Sequence, residues 1–193
     1  MKKYLENIIE KLLNIKNKKM QEINIYILIK AYSGDIYKQI LELNQKYKTV
    51  NIVTNDINRF RWLQKKIEDS REDEITITNN RKKSLKRAEY IINIDFDNKD
   101  INSFSINPYS VIFNLSKNKI ENILGFNGII INNVSINVNK LDLINLNNIE
   151  KRYNINNIYE EEMLKNSKVI EQIEYSFIGN RGILSQKEIL KNA

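Results

Sequence analysis

Between residues 23 and 56 the chain passes from one apolar run to another through an amphipathic stretch. Ile23-Asn-Ile-Tyr-Ile-Leu-Ile29 is apolar and rich in β-branched side chains, as a strand buried on both faces requires. Ala31-Tyr-Ser-Gly-Asp35 follows as a turn. Ile36, Ile40, Leu41 and Leu43 then recur at helical spacing, and Val50-Asn-Ile-Val-Thr54 is a second apolar run ending on Asn55 and Asp56. Strand, turn, helix, strand is the opening unit of a doubly wound parallel sheet.

The same alternation continues. Residues 57–69 predict a helix with Phe60, Leu63 and Ile67 on its buried side. Glu74–Thr78 predicts a short strand, Ser84–Ala88 a helical turn, Tyr90–Ile94 a fourth strand and Asp95–Asn98 its polar end. Pro108 breaks regular structure ahead of a fifth strand over Ser110–Leu115. Gly125 and Gly128 bracket a turn, and Ile129–Ile131 with Val134–Ile136 predicts a sixth strand. Six β segments alternating with helices or turns over 23–137 imply an α/β protein in three layers, with parallel strands in the order 3-2-1-4-5-6. The alternative is a five-stranded, flavodoxin-like sheet.

Two regions flank this core. Residues 1–20 predict an additional helix whose stripe is Tyr4, Leu5, Ile8, Ile9, Leu12 and Leu13, closed by Lys16–Lys19. In the region 141–193, Leu141–Asn157 reads as loop or short helix and Ile158–Ile173 as an amphipathic helix. A final helix starts at Ser185, a plausible cap, after Gly179 and Gly182. No repeat or linker divides the chain, so 1–193 is expected to form a single domain. The stripes of 1–14 and 158–173 are expected to be buried, against each other or across a homodimer.

Composition narrows the chemistry. Of 193 residues, 41% are hydrophobic and 28% charged, which suits a globular core rather than disorder. No apolar run reaches the roughly 18 residues of a membrane span. Glu6 and Glu10 interrupt the stretch after Lys2 and Lys3, so it does not read as a secretory leader, and a cytoplasmic location is expected. Cysteine and histidine are absent. That removes disulfides, a thiolate nucleophile, Cys/His zinc sites, the Ser-His-Asp triad and histidine base catalysis. The net charge of +7 invites a nucleic-acid partner. Yet richness in Lys, Asn and Ile is the signature of an AT-rich genome. The densest basic run, Arg81–Arg87, is short and adjoins acidic Glu68–Glu74, so it reads as a solvated face.

Several strings resemble the NAD(P)-binding domain of the shikimate-dehydrogenase and glutamyl-tRNA-reductase type. Asn55-Asp-Ile-Asn-Arg59 is similar to that family's NRTxxR after the second strand. Leu85–Asn93 resembles its l-x-x-aDiiiNat, Ile106–Asn114 its l-x-p-g-xxviDl, and Phe126–Ile130 its closing strand. The resemblance covers residues 23–137 and implies a Rossmann-like fold with NAD or NADP as cofactor. The family's GAGGA, however, is replaced by Lys30-Ala-Tyr-Ser-Gly34. If Gly34 takes the second glycine position, Tyr37 takes the third; aligned the other way, Lys30 and Tyr32 replace two glycines. The family's substrate domain, with its catalytic Lys and Asp, has no counterpart ahead of the first strand, so no catalytic residue carries over.

Candidate site residues follow. Ser33, Gly34 and Asp35 at the helix N-terminus are placed to meet a phosphate, with Tyr32 at the cleft mouth. Asp56 is placed either to accept a ribose diol, which favours NAD over NADP, or to cap the next helix. The resemblance adds Asn55 and Arg59. Asp95 and Asp97 lie at the carboxyl end of strand four, the edge where ligands bind in open α/β sheets. With one glycine left in the turn, the expectation is a degenerate nucleotide-binding or assembly module. It binds neither NAD nor NADP tightly, is not a dehydrogenase, and takes at most a small nucleotide or anion. No metal is expected. A small NAD(P)-dependent oxidoreductase is the alternative, and a basic nucleic-acid-binding protein a further one.

Overall fold

A computed structural model describes residues 3–30, 34–61, 65, 75–138, 151–154, 173–180 and 182–191. The helices are α1 (Lys3–Ile15), α2 (Gly34–Lys46), α3 (helical over 57–61), α4 (Asn98–Asn102) and α5 (Gln186–Lys191). The strands are β1 (Asn24–Leu28), β2 (Thr49–Val53), β3 (Ile75–Thr78), β4 (Tyr90–Asn93), β5 (Val111–Asn114), β6 (Ile129–Ile131), β7 (Asn133–Val138), β8 (Lys151–Asn154), β9 (Ile173–Gly179) and β10 (Gly182–Ile183).

Strands β1–β6 form one sheet in the order β3-β2-β1-β4-β5-β6, and every pairing is parallel. The expected order therefore holds, with β1 central between β2 and β4. Side chains alternate between the two faces with period two. Ile25, Ile27, Val50, Ile52, Tyr90, Ile92, Val111, Phe113, Ile129 and Ile131 enter one core, while Leu28, Val53, Ile91, Ile112 and Ile130 enter the other. The first core is closed by Ile8, Ile9, Leu12 and Leu13 of α1, Ile40 and Leu43 of α2, and Phe60 of α3. The second is closed by Leu85, Ala88, Phe96, Ile101, Phe104 and Ile120.

The strand expected over 129–136 divides at Asn132. β6 ends the parallel sheet, and β7 opens a second, antiparallel sheet in the order β10-β9-β7-β8. Segment 141–193 is therefore not helical throughout: 151–154, read as loop or short helix, is β8, and β9 starts at Ile173. The second sheet joins the first core through Val134 and Phe177. Ile8, Ile9, Leu12 and Leu13 of the N-terminal stripe are buried within the same chain, and α1 packs against α5, whose Ile189 is also buried there. Of the turn expected over Ala31–Asp35, residues 31–33 lie outside the described residues and Gly34 and Asp35 belong to α2; the helix expected over 158–173 also lies outside them, apart from Ile173. So do Leu63, Ile67 and acidic 68–74.

Gly128 shows why the β5–β6 connection takes no side chain. A Cβ there would lie 2.1 Å from the Ser110 carbonyl oxygen, the atom that accepts the Ile129 N–H at 2.9 Å.

Candidate functional site

Because the strands are parallel, all six carboxyl ends share one edge, and the chain order reverses between β1 and β4. This switch point is where open α/β sheets hold ligands. Lys30 follows β1. Asp95 and Asp97 follow β4, and Asp100 lies in α4. The Lys30 N–H donates to Asp95 Oδ1 at 2.6 Å. Its ammonium sits 3.4 Å from Asp97 Oδ2, pairs with Asp100 Oδ2, and lies 5.4 Å from the Phe96 ring centre. Asp97 also caps α4, accepting the Asp100 N–H at 2.8 Å. That backbone bond first, and Lys30 second, hold the Asp97 carboxyl below its ordinary range. The bond to Asp100 in turn pushes the Lys30 ammonium upward. The crossing from β1 to β4 is thus latched by side chains.

A second group lies at the end of β2. Asp56 Oδ1 accepts the Arg59 N–H at 3.3 Å and Oδ2 meets Arg59 Nε at 2.9 Å, so the carboxylate caps α3 and pairs with its own helix. Asn55 Oδ1 accepts from Arg81 Nη2 at 3.4 Å. Asn55, Asp56 and Arg59 all lie at this corner, Asp56 paired with Arg59 and Asn55 with Arg81; Asp95 and Asp97 both lie at the switch point. Gly34 and Asp35 open α2, while Tyr32 and Ser33 lie outside the described residues.

The most buried polar feature of the edge was not anticipated. Asn93 and Asn114 end β4 and β5, Asn132 directly follows β6, and all three are buried. Asn93 Nδ2 donates to Asn114 Oδ1 at 2.8 Å, Asn114 Nδ2 to Asn132 Oδ1 at 2.8 Å, and Asn132 Nδ2 to Asn180 Oδ1 at 2.7 Å. Backbone groups take up the remaining capacity. Asn93 exchanges bonds with Phe96 at 2.8 and 3.0 Å, Asn114 Nδ2 donates to Asn118 O at 2.9 Å, and Asn132 exchanges bonds with Ile120 at 2.9 and 3.0 Å. The result is a closed amide chain across half of the carboxyl edge, ending on the second sheet. Its signal in the sequence is a repeated apolar-apolar-Asn: Ile91-Ile92-Asn93, Ile112-Phe113-Asn114, Ile130-Ile131-Asn132.

Among the described residues, no group of Asp and Glu is arranged to hold a metal ion, and no helix is long and apolar enough to cross a membrane. The fold and edge define a Rossmann-like α/β protein with an added antiparallel sheet. No protein-family model matches the chain, and a search of curated proteins finds no match either.

Proposed function

We propose that this protein is a Rossmann-like binding or assembly module without dehydrogenase activity. The carrying observation is the latch at the β1–β4 switch point. Two carboxylates, Asp97 and Asp100, meet the Lys30 ammonium and a third, Asp95, takes the Lys30 backbone N–H, where a dinucleotide would set its pyrophosphate. A carboxylate about 6 Å from a phosphate oxygen costs on the order of 1–3 kcal/mol near a protein surface. The amide chain supports the same reading. A dinucleotide spreads over both halves of the sheet, and here the β4–β6 half is occupied by satisfied amides whose displacement would strand buried polar groups. The groups present therefore suit neither NAD nor NADP. The β2 corner, with Asn55, Arg59 and Arg81, remains able to take a small nucleotide or anion weakly.

Calorimetric titration of the full chain with NAD and with NADP tests this. No measurable heat of binding up to millimolar ligand is the expected result. Micromolar binding of either would overturn the proposal and return the oxidoreductase reading.

A further inference from the structure

The basic run over residues 81–87 is not a loose solvated stretch. It is a set of turns fixed at both ends. Asn80 Oδ1 accepts the Lys82 and Lys83 N–H groups at 3.1 and 3.0 Å, and its carbonyl accepts the Ser84 N–H at 3.0 Å. The Arg81 and Leu85 carbonyls accept the Ser105 and Asn107 N–H groups, each at 2.9 Å. Leu85 and Ala88 are fully buried beneath the turn. Arg81 lies 5.7 Å over the Phe104 ring and donates to Ser103 Oγ at 2.9 Å. With the apolar members anchored, Lys82, Lys83, Lys86 and Arg87 are all exposed.

None of these four forms an ion pair with a described residue, whereas Lys18, Lys30, Lys46 and Arg59 each meet a carboxylate. Four cations without an ion-pair partner among the described residues, on one turn whose backbone is already ordered by the fold, form a local positive field. The turn displays no large exposed hydrophobic side chain, which argues against insertion into a lipid surface. It also carries no aromatic ring on which single-stranded bases could stack.

We propose that this turn is a docking surface for the phosphate backbone of duplex nucleic acid, without sequence preference. The surface lies outside the switch point, and its four exposed cations are not among the residues of the function proposed above.

The test is fluorescence anisotropy of the full chain with labelled DNA and RNA duplexes, at salt from about 50 to 200 mM. The unmodified protein should bind one or both duplexes with a dissociation constant of about 1–100 μM, weakening steeply with salt. A variant carrying Lys82→Gln, Lys83→Gln, Lys86→Gln and Arg87→Gln should bind at least about tenfold more weakly, with its log–log salt slope reduced by about 3. Its melting temperature should match that of the parent, because these side chains make no hydrogen bond within the described fold. A charge-matched variant with Lys38→Gln, Lys48→Gln, Lys187→Gln and Lys191→Gln should keep most of the affinity. Absence of binding at the lowest salt, equal weakening by both variants, or binding to anionic phospholipid vesicles but not to duplexes would each overturn the proposal.

Discussion

Asn114 sits at the middle of the amide chain, where both amide hydrogens and the carbonyl oxygen are engaged. Replacing it by alanine strands one Asn93 amide hydrogen, the Ser116 N–H and the Asn118 carbonyl, and leaves Asn132 Oδ1 with the Ile120 N–H alone. Because the site is buried, water does not readily replace these partners, and Asn114→Ala should cost about 2–4 kcal/mol. A shift of the urea midpoint with unchanged slope measures it; a loss within about 0.5 kcal/mol would mean that water fills the gap. The latch makes a separate prediction in pH. The folded-state pKa of Asp97 is depressed, so its contribution to stability is present above the ordinary carboxylate value of 3.8 and is lost as pH falls through the lower folded value. The melting-temperature gap between the parent and Asp97→Asn should therefore be constant near neutrality and close on acidification below 3.8. A gap that persists into strong acid would show that Asp97 acts through packing and not through charge. The placement of Asp56, Asp95 and Asp97 at the carboxyl edge was legible in the sequence, because strand ends can be read from where apolar runs stop. The engagement of Asp95 and Asp97 with Lys30 was not, since a partner 65 or 67 positions away follows from strand order. The amide chain was hidden for the same reason, in a sequence where asparagine is common at loops and strands alike.

At the scale of elements, α1 shows how an added helix becomes part of the core. Leu12 is fully buried, with Ile8, Ile9 and Leu13 nearly so. Leu12→Ala should cost about 2–5 kcal/mol, the range for deleting a leucine side chain from a packed interior. Chemical denaturation checks it, and a cost below about 1 kcal/mol would mean that α1 lies loosely on the sheet. α5 carries a capping box. Ser185 Oγ accepts the Glu188 N–H at 3.3 Å, and Glu188 Oε2 accepts the Ser185 N–H at 2.8 Å. Ser185→Ala should cost about 0.5–2 kcal/mol and raise hydrogen exchange over 186–191 first. This cap was legible, as were β1–β5, because β-branched runs between turn residues leave little else for the backbone to do. The β6–β7 division was not, since a single residue, Asn132, separates two strands of one apolar run. β8 was missed because Lys-Arg-Tyr-Asn carries no apolar alternation. β9 does alternate, at Ile173, Tyr175 and Phe177, but the helical pattern read over 158–173 runs into its first residue.

At the scale of the whole molecule, the second sheet is bound to the first by several independent means. The chain crosses through Asn132 alone, whose N–H donates to the Ile178 carbonyl at 3.1 Å and whose side chain reaches Asn180. Val134 and Phe177 share one buried cluster with Ile131, Phe113 and the residues of α1. Elements sharing a single core lose their burial together, so the two sheets should unfold as one cooperative unit. Native-state hydrogen exchange tests this directly. The slowest amides of β1, β2 and β4 and those of β7 and β9 should report the same opening free energy, equal to that from global denaturation. Phe177→Ala gives the sharper form. Phe177 is 2% exposed, and removing its ring should cost about 3–5 kcal/mol. If the core is shared, that loss appears equally in the slowest amides of both sheets. Were protection to fall in β7 and β9 while β1, β2 and β4 kept theirs, the second sheet would be a separately folding unit docked on the first, and the single-domain reading would fail.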